Sequence, residues 1–229
     1  VVQHLDLSVE IAHRVVQPGQ HFLARVTESF DPYLREPWIP VRKRGSVITI
    51  ERPIGVGYQP GQIVSLFGPI GRGLPLRDAM RTLLLIAHDA TPASLLMLAD
   101  QAIQNQVAVV LVLAGEARSY PIDALPPEIE VIRGDAHGNW LHMNESVTWA
   151  DQVLAVAPPP HDVPHYRHLL DVIRAARTEV PRGFVYGLFQ PPMPCGVGAC
   201  GACLLRAHGH EVYTCLDGPA FDLLDITLG

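Results

Sequence analysis

Every cysteine in this chain falls between positions 195 and 215, in the pattern Cys195-x4-Cys200-x2-Cys203-x11-Cys215, and none occurs earlier in its 229 residues. A disulfide framework for a chain of this length would spread its bridges. Confinement to one short segment points instead to metal or redox chemistry. Four thiolates meet the ligand demand of a [2Fe–2S] cluster, and C-x4-C-x2-C…C is the plant-type ferredoxin spacing. The residues between the ligands, Gly196, Gly198, Ala199, Gly201 and Ala202, are all small. A loop that wraps a cluster must aim backbone N–H groups at sulfur, and bulky side chains would block that approach. Structural zinc is the competing reading. Zinc sites usually join two C-x2–4-C pairs from separate hairpins, whereas here three cysteines share one loop and the fourth stands alone. Free thiols or disulfides are the remaining alternative, and a plain buried apolar role would have to recur four times.

The remaining composition excludes other classes. Seventeen basic against 23 acidic residues give a net charge of −6, which lacks the basic footprint of a nucleic-acid binder. With 48% hydrophobic and 17% charged residues the chain is globular. Its longest apolar runs, 83–87 and 107–114, are well short of the roughly 18 residues of a membrane span. No basic-then-apolar leader is visible, so a cytoplasmic location is expected. The single lysine, Lys43, is not in a GxxxxGK[ST] context, which excludes a P-loop.

Three units are expected, at 1–78, 79–180 and 181–229. In the first, Leu5, Leu7, Val9 and Ile11 alternate with polar residues, and 22–26, 46–50 and 63–67 read as strands. Pro18-Gly19, Pro60-Gly61 and Gly68-Pro69 punctuate them, the last closing its strand, which suggests a small β-barrel, Greek-key-like, or a sandwich. In the second, 82–87 is a continuous apolar run of the kind found in buried parallel strands. Thr91 is placed to cap a helix whose first residue is Pro92, with Leu95, Leu96, Leu98, Ala99, Ala102 and Ile103 on its apolar face. Strands at 107–114, 129–132 and 153–157 and a helix at 163–177 complete an α/β unit with a parallel sheet. The third holds a strand at 183–189, the cysteine segment and a strand at 211–215.

Several other residues carry two readings. His161, His165 and His168 share a helical face and could bind a metal, but no HExxH-type carboxylate accompanies them, which favours a solvated helix start. His208 and His210 read as turn residues outside a ligand set that four cysteines already fill. Arg42-Lys43-Arg44 is a charged hairpin tip or a docking patch for an acidic partner. Trp38 is core, or an aromatic platform for a stacked ring. No nucleophile–base pair and no paired carboxylates suggest hydrolysis.

The run Met193-Pro194-Cys195-Gly196-Val197-Gly198-Ala199-Cys200-Gly201-Ala202-Cys203, followed by Cys215-Leu216-Asp217-Gly218-Pro219-Ala220-Phe221, resembles the C-terminal segment of the electron-transfer subunits of bacterial dihydroorotate dehydrogenase. That resemblance implies a ferredoxin-reductase-like order: flavin barrel, nucleotide-binding α/β domain, [2Fe–2S] domain. Pro18-Gly19-Gln20 with Phe22 is similar to the family's P-G-Q-F segment, and Gly68-Pro69-Ile70-Gly71 to its G-P-L-G. Leu34-Arg35-Glu36-Pro37-Trp38-Ile39 falls on its L-R-R-P-x-S flavin motif, and Gly55-Val56-Gly57 near its G-x-G-T. The resemblance thus implies Arg35, Pro37, Trp38, Gly55 and Gly57 as FAD contacts. Three departures weaken that site. Ile39 replaces a hydrogen-bonding serine, Glu36 replaces an arginine, and Tyr58-Gln59-Pro60-Gly61 leads directly toward the next strand without the family's phosphate-holding helical turn.

The nicotinamide site departs further. The family's glycine-rich turn is His88-Asp89-Ala90-Thr91-Pro92 here, and its C-G-P is Ala157-Pro158-Pro159. Without glycine the backbone cannot approach a pyrophosphate closely, so NAD(P)H is not expected to bind. The implied function is a component rather than a stand-alone enzyme. It would move single electrons through the cluster between a flavin or nucleotide and a partner subunit, and form a hetero-oligomer. The leading partner is an FMN-bearing dihydroorotate dehydrogenase catalytic subunit, in pyrimidine biosynthesis. The second expectation is a cluster-bearing relay scaffold that has lost both nucleotides.

Overall fold

The computed structural model describes residues 2–26 and 34–228. The N-terminal strands are β1 (Val2–Ser8), β2 (His21–Arg25), β3 (Glu36–Trp38), β4 (Pro40–Arg44), β5 (Val47–Pro53) and β6 (Ser65–Ile70). They form two antiparallel sheets, ordered β1-β5-β4 and β3-β2-β6. Period-two patterning points Phe22, Ala24, Trp38, Ile48 and Ile50 from both sheets into one core. Phe22, Trp38, Ile48 and Ile50 are fully buried, each contributing about 1.5–3 kcal/mol.

Two strand expectations need correction. The first strand stops at Ser8; residues 11–13 form a 3-10 turn and Ile11 is 77% exposed. Gly68-Pro69 lies inside β6 rather than closing it, because β6 is an edge strand whose outer side asks for no N–H donor. Residues 54–64 between β5 and β6 contain no helix, in agreement with the missing helical turn.

The six-stranded sheet of the α/β unit has the order β14-β11-β10-β7-β8-β9. Its strands are β7 (Thr82–His88), β8 (Ala108–Ala114), β9 (Ile129–Arg133), β10 (Gln152–Val156), β11 (Val185–Leu188) and the antiparallel edge strand β14 (Ala220–Asp222). Helix α1 (Ala93–Gln104) packs Leu95, Leu98 and Ala102 with Leu83, Leu85 and Leu111 on one face. Helix α3 (Asp162–Ala176) packs Tyr166, Leu170 and Ile173 with Leu84, Ile86 and Val153 on the other. The unbroken apolar run of β7 thus serves both faces. Pro92 precedes α1 rather than opening it, and the Ala93 N–H donates to Thr91 Oγ1 at 3.4 Å. Helix α2 (Met143–Trp149) has no counterpart in the sequence reading: Val147 is its one buried residue, too little for a periodic signal.

The cysteine segment is an excursion between two strands of this sheet. Because β11 and β14 both belong to the parallel unit's sheet, the third unit is anchored at both ends. The excursion carries β12 (Leu204–Ala207), β13 (His210–Tyr213) and the one-turn helix α4 (Thr214–Asp217).

Two polar ties lock barrel to α/β unit. Arg42 of the basic run reaches Asp100 on α1 at 3.5 Å and the Ala124 carbonyl at 3.3 Å, while Lys43 and Arg44 stay exposed at the hairpin tip. Tyr120 donates from its hydroxyl to the buried Glu51 carboxylate at 2.5 Å, and His4 lies 3.3 Å from the same oxygen. Burial and the Glu51 carboxylate push the Tyr120 phenol upward, so it stays a donor. Tyr120→Phe leaves that buried oxygen short of a partner and should cost about 1.5–3 kcal/mol. Urea unfolding would read this as a lower midpoint at constant slope; an unmoved midpoint would contradict it.

Candidate metal centre

The x11 spacing between Cys203 and Cys215 is that of a hairpin. Strand β12, the His208-Gly209 turn, strand β13 and Thr214 fill it, with Gly209 at φ 86° and Leu204 paired with Tyr213. His208 and His210 are exposed at that turn. The Thr214 N–H and hydroxyl both donate to the Cys203 carbonyl, at 3.0 and 3.1 Å. The hairpin therefore closes with the two sulfurs 3.2 Å apart, both cysteines buried.

The C-L-D-G-P-A-F tail fixes Cys215 from the other side. Asp217 accepts the Tyr213 N–H at 3.0 Å, Gly218 N–H returns to Thr214 O at 3.1 Å, and Phe189 N–H donates to Pro219 O at 2.9 Å. Phe221 then packs edge-on against Phe189, with ring centroids 6.0 Å apart.

The loop carrying Cys195 and Cys200 needs its glycines. Gly196 and Gly198 sit at φ 66° and 73°. A Cβ at Gly196 would lie 2.7 Å from Ile70, and one at Gly198 2.5 Å from Leu216. The left-handed conformation favours glycine at both positions, and a side chain would also have to displace the ends of Ile70 and Leu216. The Gly198 N–H donates to Cys215 Sγ at 3.1 Å, and the Val197 N–H to Cys195 Sγ at 3.5 Å. Hydrogen bonds from the Val197 and Cys200 backbone bring the Cys195 thiol down to about 6, so it is a thiolate at neutral pH. Burial, then the neighbouring Cys203, push Cys215 up to about 11. Soft sulfur donors in a glycine cradle with N–H groups aimed at them fit an iron–sulfur cluster. Cys200 is exposed and Cys195 half-buried, so one edge of the centre faces solvent.

The centre rests on the barrel. Leu23, Ile70, Cys203 and Cys215 share one apolar cluster with Met193 and Tyr213. The Arg72 N–H donates to Gly218 O at 2.5 Å and its guanidinium reaches Asp217 at 3.2 Å. A Cβ at Gly71 would meet Gly218 O at 2.7 Å, which explains the second glycine of the G-P-x-G segment. A groove between barrel and loop is lined by Leu23, Arg25, Leu34, Arg35, Phe67 and Cys195, with Pro194 completing it.

Of the five candidate flavin residues, Arg35 lines this groove. Its guanidinium is already engaged, donating to Ser65 O at 2.8 Å and Ser65 Oγ at 3.0 Å. Trp38 is fully buried in the barrel core, edge-on to Tyr58 and under Arg52, so it has no open face for a flavin. Pro37 lies in β3 paired with Leu23. Gly55 and Gly57 sit in the exposed turn after β5, and a Cβ at either would meet nothing within 4 Å. Leu23 and Phe67 are groove residues that sequence reasoning missed; the one signal was an aromatic on an edge strand, and Phe67 is 43% exposed.

At the carboxyl end of β7 the glycine-free turn holds Asp89 at φ 56°. His88 and His165 converge on it, while His161 and His168 are not part of the group, in keeping with a solvated helix start for those two. Burial, then the neighbouring His88, lower the His165 pKa.

Residues 190–227 match the family model described as the iron–sulfur cluster binding domain of dihydroorotate dehydrogenase B. The chain is 31% identical to the dihydroorotate dehydrogenase B (NAD(+)) electron transfer subunit of Bacillus caldolyticus, covering 98% of this chain and 92% of that one. It is 32% identical to the corresponding subunit of Geobacillus thermodenitrificans, with the same coverages of 98% and 92%. In fold it is similar to a NADH-dependent reduced ferredoxin-NADP oxidoreductase structure, with a TM-score of 0.76 and 17% identity over 99% of this chain and 85% of that one. It is also similar to the ferredoxin reductase in carbazole 1,9a-dioxygenase, with a TM-score of 0.53 and 17% identity over 75% and 60% of the two chains. With that identity sustained along almost its whole length, the chain belongs to the family of dihydroorotate dehydrogenase B electron transfer subunits.

Proposed function

We propose that Cys195, Cys200, Cys203 and Cys215 hold one [2Fe–2S] cluster and that the chain relays single electrons to or from a catalytic subunit of the dihydroorotate dehydrogenase kind, in a hetero-oligomer. The observation that carries this reading is the buried Cys203–Cys215 pair, 3.2 Å apart and met by the Gly198 N–H. A cluster bound there would supply one-electron redox chemistry. The chain's own residues do the rest. Backbone N–H groups stabilise negative sulfur, and Leu23, Ile70 and Met193 keep water from the buried side. The exposed Cys200 edge, rimmed by Val197 and Leu216 at 52% and 46% exposure, is the face offered to the partner. The 1–78, 79–180 and 181–229 units are retained as the functional division, with the third tied to the sheet through β11 and β14. The test is anaerobic purification with metal and sulfide analysis. About two iron and two sulfide per chain are expected; one zinc and no sulfide would overturn the reading.

For the flavin, the fit is partial. The groove beside Cys195 offers Leu23 and Phe67 as an apolar wall and Arg35 as a fixed charge, while the turn after β5 has no helix to hold a pyrophosphate. A flavin ring seated there would exchange electron pairs for single electrons. For nicotinamide the residues do not fit: the turn 88–92 after β7 carries the Asp89 carboxylate and has no glycine to admit a pyrophosphate against the backbone. The chain is therefore read as a relay fed through its partner or flavin rather than by NADH. Anaerobic mixing of the flavin-reconstituted protein with NADH should leave its visible spectrum unchanged, whereas dithionite bleaches it. Stoichiometric bleaching by NADH would refute this.

A further inference from the structure

We propose that His88, Asp89 and His165 form a second metal site, distinct from the cysteines, for a divalent transition ion of the zinc class. The three ligand atoms lie within 4.8 Å of one another. His165 Nε2 is 3.3 Å from Asp89 Oδ2, and His88 Nε2 is 3.8 Å from the same oxygen. Ligands on a tetrahedral ion with bonds near 2.0–2.1 Å stand about 3.3 Å apart, so the first pair is already at bonding separation and the second needs a small contraction. Two imidazoles and one carboxylate are the donor set that zinc and its neighbours favour over magnesium or calcium.

The surroundings hold these donors in place. Asp89 Oδ1 accepts the Glu116 N–H at 2.9 Å, which leaves Oδ2 turned to the histidines. Gly138 packs so tightly on the His88 ring that a Cβ there would lie 2.8 Å from Nδ1 and Cε1. The ring thus keeps Nε2 toward Asp89, with the Ala136 carbonyl 3.4 Å away as the alternative partner of its proton. The two rings lie 3.8 Å apart. His88 is buried, while His165 and Asp89 are partly open, so a fourth position faces solvent and would take water. The site lies at the carboxyl end of a central parallel strand, where α/β sheets bind ligands. An ion there would tie α3 to the β7–α1 turn, at the locus where a glycine turn would otherwise receive a phosphate.

This proposal does not rest on the cluster reading, and the experiment separates them. Cluster-loaded protein, stripped of loose metal with a chelator and kept anaerobic, is titrated with Co2+ and then competed with Zn2+. The expected result is one Co2+ per chain with visible ligand-field bands and no added thiolate-to-cobalt charge transfer. His165→Gln, on a partly exposed helical position, should weaken binding at least tenfold, by analogy with losses of about 10–100-fold even for outer-shell partners. Asp89→Asn is the second variant, and circular dichroism checks that both are folded. Zn2+ should raise the thermal midpoint of the parent and not of His165→Gln. Equal affinity in both variants and the parent, no binding at millimolar cobalt, or bands of thiolate character would each overturn the proposal.

Discussion

Cys203→Ser should strip the chain of its iron. Cys203 is 1% exposed and its sulfur lies 3.2 Å from that of Cys215. A serine there offers a hard, poorly acidic oxygen where a soft thiolate is required. It also places a hydroxyl in the apolar cluster of Leu23, Ile70 and Met193, at a cost of about 1–3 kcal/mol if unpartnered. Iron should fall from about two to below about 0.2 per chain, with sulfide falling in parallel and the dithionite-reduced electron paramagnetic resonance signal disappearing. Cys200→Ser is the control: Cys200 is exposed, so the loop can adjust around a substituted ligand and part of the iron should remain. Full iron retention by Cys203→Ser would mean that this sulfur is not a ligand.

Much of this architecture is legible in the sequence because its signals are local. The run at 82–87 is apolar at every position after its opening threonine, and only a strand covered on both faces tolerates that; β7 is indeed packed by α1 and α3. The cysteine spacing is legible because ligands closed by one loop and one hairpin need fixed sequence separations. What stays hidden depends on distant chain segments. Nothing near Val185 announces that Ala220–Asp222 will pair beside it, so the anchoring of the cysteine excursion to the sheet cannot be read locally. In the sequence, His88 and Asp89 read as a failed phosphate turn, and His165 as part of a helix face. Only the packing of α3 against β7 brings the three together. For Trp38 the fold decides between two readings. The flavin motif offers it as a contact, but its place in β3, one strand from β2, turns it into the barrel core with Phe22.

The barrel should lose stability in mild acid through a single histidine. His21 opens β2, is 4% exposed, and its Nε2 has no hydrogen-bond partner among the described residues. Burial lowers its pKa from 6.5 to about 4, because the charged ring cannot be hydrated there. Between those values the unfolded chain holds a proton that the folded chain does not, so stability falls as pH drops from 6.5 toward 4 and this contribution is exhausted below that. A shift of this size corresponds to about 3 kcal/mol over the whole window, of which about 2 kcal/mol falls between pH 7 and pH 5. His21→Leu removes the titrating group and the unpartnered nitrogen together. Its unfolding free energy should therefore decline less than the parent's over that interval, by about 2 kcal/mol, a roughly 30-fold difference in the unfolding constant. Denaturant titrations of both proteins at the two pH values measure this, and taking the difference cancels any acid sensitivity of the metal centre common to both. Parallel declines would show that His21 finds, in the folded state, a partner for its proton. β2 also carries Leu23, which lies under the cysteine loop, so acid loosening of this strand should release metal from the parent at a pH where His21→Leu still retains it.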